Sequence, residues 1–199
     1  MRRKYLVLPA VLILAVAVVT TVNLWPTELK KQRQQNLCLG MLTERTAGLL
    51  QDGKGGTVVA DEFVPDGAES AGESADPVFS TICFVNRENA EDKSGNGPRL
   101  QYTLDVSSSD VPSEAPKGAT TIENGRTGWV GQRQSEVQLP DGCASKMRRP
   151  DEPYVTVTLK VSPVAIAGRD WDYASLMKDS RTVILEAVEN LAQQYGCAT

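Results

Sequence analysis

The chain has 199 residues, enough for one domain of about 160 residues once a membrane segment is set aside, and carries 21 basic and 25 acidic side chains for a net charge of −4. Arg2, Arg3 and Lys4 precede the first apolar run, so the remainder is more acidic still, and nothing in it suits the phosphates of nucleic acid. No histidine is present, which excludes a Ser-His-Asp triad, a Cys-His pair and an imidazole metal site, leaving carboxylate chemistry and lysine-assisted nucleophiles as catalytic options.

Residues 1–4 read as a cytoplasmic tail and 5–25 as a transmembrane signal anchor, because Tyr5 to Trp25 carries no charge and, as a helix, spans the hydrocarbon core of a bilayer. Ala15-Val16-Ala17 has the form of a signal-peptidase site, the rival reading, but it lies inside the apolar run with Val18, Val19 and Val22 still to come. Lys30, Lys31 and Arg33 on the far flank answer Arg2, Arg3 and Lys4, so charge alone leaves the orientation nearly tied. Four cysteines without a Cys-x-x-Cys pair read as two disulfides, which form outside the cytosol and place the domain there. Residues 26–37 are then a polar stalk and 38–199 an extracytoplasmic domain.

Within that domain Cys38 to Gln51 reads as a short helix stopped by Asp52-Gly53, and Thr57 to Val64 as a strand. Pro65 to Pro77 is an acidic loop of small residues, expected to be mobile and dispensable. Val78 to Asn86 is a strand carrying Cys83. Arg87 to Pro98 is a polar loop, and Leu100, Tyr102, Leu104 and Val106 alternate with polar residues in the pattern of a sheet with one buried face. Ser107 to Lys117 reads as a turn region, Gly125 to Gly131 as a bend, and Ser135 to Leu139 as a short strand. Val155, Val157, Leu159 and Val161 alternate with Thr156, Thr158 and Lys160 in the clearest strand of the chain. Tyr173 to Tyr195 is an amphipathic helix ended by Gly196, with its apolar stripe running from Leu176 to Tyr195. The expected fold is α+β, a mainly antiparallel sheet packed by a short N-terminal and a long C-terminal helix.

Four cysteines allow three pairings; their placement beside the two helices favours Cys38 with Cys83 and Cys143 with Cys197. No catalytic motif, cofactor fingerprint or metal motif stands out. Asp52-Gly53-Lys54-Gly55-Gly56-Thr57 lacks the spacing of a phosphate loop, and the acidic residues Asp61, Glu62, Asp66, Glu69, Glu73 and Asp76 lack that of an EF-hand. Trp171 and Tyr173, set among charges, and Trp129, in the glycine-rich bend, are candidate contacts for a sugar or a partner surface. Asp172 is read as the N-cap of the last helix. Lys146, Arg148 and Arg149 form a small basic cluster that suits anionic lipid or cell-wall polymer, or simply a solvated loop.

Cys38-Leu39-Gly40-Met41-Leu42, Cys83 in a strand, Leu139-Pro140-Asp141-Gly142-Cys143 and a closing helix ending Gly196-Cys197 together resemble a group of uncharacterised membrane-anchored or secreted actinobacterial proteins. The resemblance departs at the acidic loop and at Arg87 to Pro98. It implies an extracytoplasmic location and supports the disulfides, and it supplies no activity or catalytic residue. The expected function is a non-enzymatic binding or interaction module at the cell surface, held to the membrane through residues 5–25, with another envelope protein or a cell-wall component as partner. The alternative is an envelope-acting hydrolase that uses paired carboxylates.

Overall fold

A computed structural model describes residues 36–65, 76–88, 98–122, 126–163, 166 and 173–197. The apolar run 5–25, the stalk up to residue 35, most of the acidic loop, residues 89–97, Trp171 and Asp172 lie outside the described residues. Among the described residues no helix is long and apolar enough to cross a membrane.

Strands β1 (Thr57–Phe63), β2 (Ile82–Glu88), β3 (Arg99–Ser109), β4 (Thr120–Thr121), β5 (Gly128–Val130), β6 (Gln134–Gln138) and β7 (Tyr154–Val161) form one antiparallel sheet in the order β1-β2-β3-β7-β6-β5-β4. Two meanders, β1 to β3 and β4 to β7, thus join through the central β3–β7 pair. The segment 110–119 carries the chain from the centre of the sheet to its far edge.

Period-two patterning decides the faces. Tyr102, Leu104 and Val106 of β3, Val155, Val157, Leu159 and Val161 of β7 and Val137 of β6 are buried in one core. Leu176, Val183, Ile184, Ala187, Val188 and Leu191 of the long C-terminal helix, Tyr173–Gln194, join the same core and pack chiefly over β6 and β7, while Tyr102 of β3 donates its hydroxyl to the Ala47 carbonyl at 3.1 Å. Among the described residues, the short helices α1 (Glu44–Ala47) and α2 (Cys143–Lys146) precede the long α3 (Tyr173–Gln194). The fold class is therefore the expected one, an antiparallel sheet with its long helix at the C-terminus.

The first helix is shorter than its sequence suggests. Cys38, Leu39 and Gly40 take positive φ of 57°, 54° and 86°, which no α-helix tolerates, and Leu37 and Leu42 exchange backbone hydrogen bonds of 2.8 and 3.1 Å that close these residues into a loop. Helix begins only after Thr43, whose hydroxyl accepts the Thr46 N–H as an N-cap. The expected bend at Gly125 to Gly131 instead contains β5, since Gly128 lies so close to β6 that a Cβ would sit 2.5 Å from the Glu136 carbonyl oxygen. The start of the second expected strand is a 3₁₀ turn, Pro77–Phe79, capped by Asp76. The third strand runs on to Ser109, into the expected turn region. The edge strand β4 and the helix α2 have no counterpart in the sequence-based expectation.

Disulfides Cys38–Cys83 and Cys143–Cys197, each with Cα atoms 5.3 Å apart, tie the first loop to β2 and the end of α3 to α2. These are the pairs that cysteine placement favoured. They belong to an oxidising, extracytoplasmic environment.

Candidate functional site

The face opposite α3 is polar because every second residue of the central strands points away from the core. Asp105 pairs with Thr158, Thr158 with Glu136, and Glu136 with Trp129, so these four form a row across β3, β7, β6 and β5. The adjacent row holds Phe84, Thr103, Lys160 and Gln134. Lys160 Nζ lies 3.4 Å from Asp105 Oδ1. Burial pushes the Asp105 pKa above the ordinary carboxylate value; Lys160 opposes the shift and the charge of Glu136 adds to it.

Residues of the 110–119 crossover lie over one end of this face and bind it. The Trp129 indole N–H donates to Ser113 Oγ at 3.2 Å, the Ser113 hydroxyl donates to Glu136 Oε2 at 2.5 Å, and Gln134 Nε2 donates to Glu136 Oε1 at 2.7 Å. Beyond them the β5–β6 turn is closed by the Gly131 N–H on the Gln134 carbonyl at 3.0 Å. A Cβ on Gly131 would meet that carbonyl at 2.8 Å and the Trp129 ring at 3.4 Å, so only glycine lets the turn fold over the indole.

Crossover and turn are the two walls of a cleft of about 610 Å³, with Glu114 and Lys117 on one rim, Gln132 and Arg133 on the other, and Trp129, Gln134 and Glu136 as its floor. A volume of this size falls in the range of small-ligand sites, roughly 300 to 1,000 Å³.

The aromatic candidates separate. Trp129 lines the cleft, yet only 5% of it is exposed, and it sits in a strand rather than on an open bend. Tyr173 is 50% exposed at the start of α3, on the other side of the sheet. Trp171 lies outside the described residues. Glu136, Gln134 and Ser113 had no signal of their own in the sequence; the polar positions of Gln134-Ser135-Glu136-Val137-Gln138 alternate as any half-buried strand does.

Other motifs resolve into structural contacts. The Asp52 to Gly56 loop is clasped by two arginines: Arg99 Nε meets Asp52 Oδ2 at 2.6 Å and its Nη2 donates to the Gly55 carbonyl at 2.8 Å, while Arg87 donates to the Gly56 and Gly48 carbonyls at 2.7 and 2.8 Å. Burial acts to raise the Asp52 pKa, but the hydrogen bonds from Arg99 and the Lys54 N–H, with the Arg99 charge, hold it below the ordinary value. In the basic cluster Lys146 donates to the Gly196 carbonyl, Arg149 lies 5.0 Å from the Phe79 ring centroid, and Arg148 is exposed. Among the described residues no group of three or more Cys, Asp or Glu side chains is placed to hold a metal ion.

No protein family, curated protein or solved structure matches this chain.

Proposed function

We propose that the chain is a single-pass membrane protein, anchored by residues 5–25 with its N-terminus cytoplasmic, whose extracytoplasmic domain binds a partner or envelope component without catalysing a reaction. The observation that carries this reading is the cleft over β5 and β6. Its floor carboxylate is already oriented by Ser113 and Gln134, an arrangement suited to holding a ligand. The two disulfides support the extracytoplasmic placement.

Protease added to intact cells is expected to remove the domain and leave a small membrane-bound stub. Protection of the domain would overturn the topology, and release of soluble protein starting near Val18 would show a cleaved segment instead of an anchor. For the cleft, Ala119→Trp is expected to abolish retention of an envelope fraction by the immobilised protein; unchanged retention would move the binding surface elsewhere.

A carboxylate-dependent hydrolase acting on envelope glycans is favoured by one observation. Asp105 and Glu136 flank Thr158 in one row of the sheet, two strand spacings or about 10 Å apart at the backbone, so two carboxylates share one face. An inverting pair needs its carboxyl groups about 6.5 to 9.5 Å apart. Against it, Asp105 is bridged to Lys160 and does not line the cleft. Release of reducing ends from envelope glycan, lost in both Asp105→Asn and Glu136→Gln, would establish the hydrolase.

A further inference from the structure

The floor of the cleft turns most of its donors inward. The Trp129 N–H goes to Ser113, the Ser113 O–H goes to Glu136, and one Gln134 N–H goes to Glu136. What remains for a ligand is mainly acceptor capacity, that of the Glu136 carboxylate and the Gln134 side-chain carbonyl, with the second Gln134 N–H as a neutral donor beside them.

Glu136 is half-buried and charged, yet both of its hydrogen-bond partners are neutral, and it forms no salt bridge among the described residues. The cation of the neighbouring row, Lys160, is engaged by Asp105. On the rims, Lys117 and Arg133 are exposed and without an ion-pair partner among the described residues. Two cations, Lys117 and Arg133, and two carboxylates, Glu114 and Glu136, cancel across the cleft, so it attracts neither a polyanion nor a polycation. Trp129 offers no open ring face for stacking a sugar, being 5% exposed with Gly131 against its ring.

We infer, on the reading that this cleft is the binding site, that it takes a zwitterionic ligand of the amino-acid or short-peptide class, with the ligand's ammonium group on Glu136 and its carboxylate toward Lys117 and Arg133. An ammonium supplies the positive charge that the floor lacks and donors for its spare acceptors, and the contact with a half-buried carboxylate is a charge-assisted hydrogen bond. The carboxylate meets Lys117 on one rim and Arg133 on the other, neither of them ion-paired among the described residues. Peptide amides between the ends are matched by the free Gln132 and Gln134 polar atoms.

The test uses the full chain in detergent micelles, titrated calorimetrically with four probes: trialanine with free termini, its N-acetylated form, its C-amidated form, and cellobiose as a neutral disaccharide. Free trialanine is expected to bind, and acetylation to weaken binding about tenfold. Glu136→Gln is expected to weaken the free peptide to a similar degree and to erase the difference that acetylation makes. The exposed double variant Lys117→Ala with Arg133→Ala is expected to erase the difference made by amidation, and it serves if Glu136→Gln fails to fold. Equal binding of free and acetylated peptide overturns the inference. Binding of cellobiose with dependence on Glu136, and none of trialanine, overturns the ligand class while leaving the cleft as the site. No binding of any probe overturns the zwitterion class, and an unchanged envelope retention by Ala119→Trp would separately remove the cleft itself.

Discussion

Glu186, on the C-terminal helix, accepts both the backbone N–H and the hydroxyl of Thr43 at 2.8 Å, across 143 residues of chain. The same carboxylate accepts the Thr46 hydroxyl at 2.5 Å, and one turn further on Asn190 Nδ2 donates to the Met41 carbonyl at 3.0 Å. One face of α3 therefore caps the first helix and holds the loop that begins at Cys38. Glu186→Ala leaves these donors without their acceptor and is expected to cost about 2 kcal/mol, read from the midpoint and slope of urea unfolding. Glu186→Gln, which keeps an acceptor without the charge, is expected to cost less.

Each disulfide closes a long stretch of chain, with sequence separations of 45 and 54, and each ties a terminal segment to the body of the domain. Replacing Cys143 and Cys197 together by Ser is expected to cost about 2 to 5 kcal/mol and to speed amide exchange in the last turns of α3. Peptide mapping of the unreduced variant is expected to find Cys38 still linked to Cys83. A fragment joining Cys38 to Cys197 or Cys143 in the wild type would contradict this pairing.

Asp52 is fully buried and ion-paired with Arg99, and its folded pKa lies below the ordinary 3.8. A carboxyl lowered in this way contributes stability that is complete above the ordinary value and is lost as pH falls through the lower folded value. Arg99→Ala is expected to cost about 3 to 5 kcal/mol at neutral pH, because a buried carboxylate is left unpaired. The variant is also expected to lose less further stability on acidification. Thermal unfolding followed by circular dichroism over an acid series checks both.

Asp105 titrates in the opposite sense. Its folded pKa is raised above 3.8, so the folded state holds the proton more tightly than the unfolded chain, and stability falls as pH rises from the ordinary value through the folded one. Asp105→Asn removes that penalty together with an exposed bridge to Lys160. The expected result at neutral pH is stability equal to or slightly above wild type, with the acid-side dependence of this group abolished. A loss of more than about 1 kcal/mol would show that the Lys160 bridge outweighs burial.

Gly128→Ala places a Cβ 2.5 Å from the Glu136 carbonyl oxygen and 2.9 Å from Val137 Cα, both backbone atoms that cannot step aside. The pairing of β5 with β6 must loosen, with an expected cost of about 1 to 3 kcal/mol. Because β5 carries Trp129, the indole N–H resonance, bonded to Ser113, is expected to shift in the same variant. An unchanged indole signal would show that the floor of the cleft does not depend on this close approach.

Much of the sheet was legible because its signals are local. Leu100 to Val106 and Val155 to Val161 alternate with period two, and Leu176, Val183, Ile184, Ala187 and Leu191 recur with the helical period, so each segment declares its buried face without reference to any other. The first helix is shorter than its spacing suggests because Leu39 and Leu42, apolar at loosely helical spacing with Ala47, lie in a loop held by Cys83 and Asn190, and only Ala47 is in the helix. Gly128-Trp129-Val130 has too few side chains to show a period, and it becomes a strand only because β6 lies beside it.

By itself the sequence determined the class of the fold, the face each long element buries and the absence of imidazole chemistry, since these follow from composition and from periodicities a few residues long. Only the tertiary structure decided that the crossover lays Ser113 between Trp129 and Glu136, that Lys117 and Arg133 face a common cleft, and that Glu186 caps the helix at Thr43. The physical reason is that a polar side chain's role depends on which partner completes its hydrogen bonds. Here the partners come from segments 16 to 143 residues away, a separation at which no local pattern in the chain records the pairing.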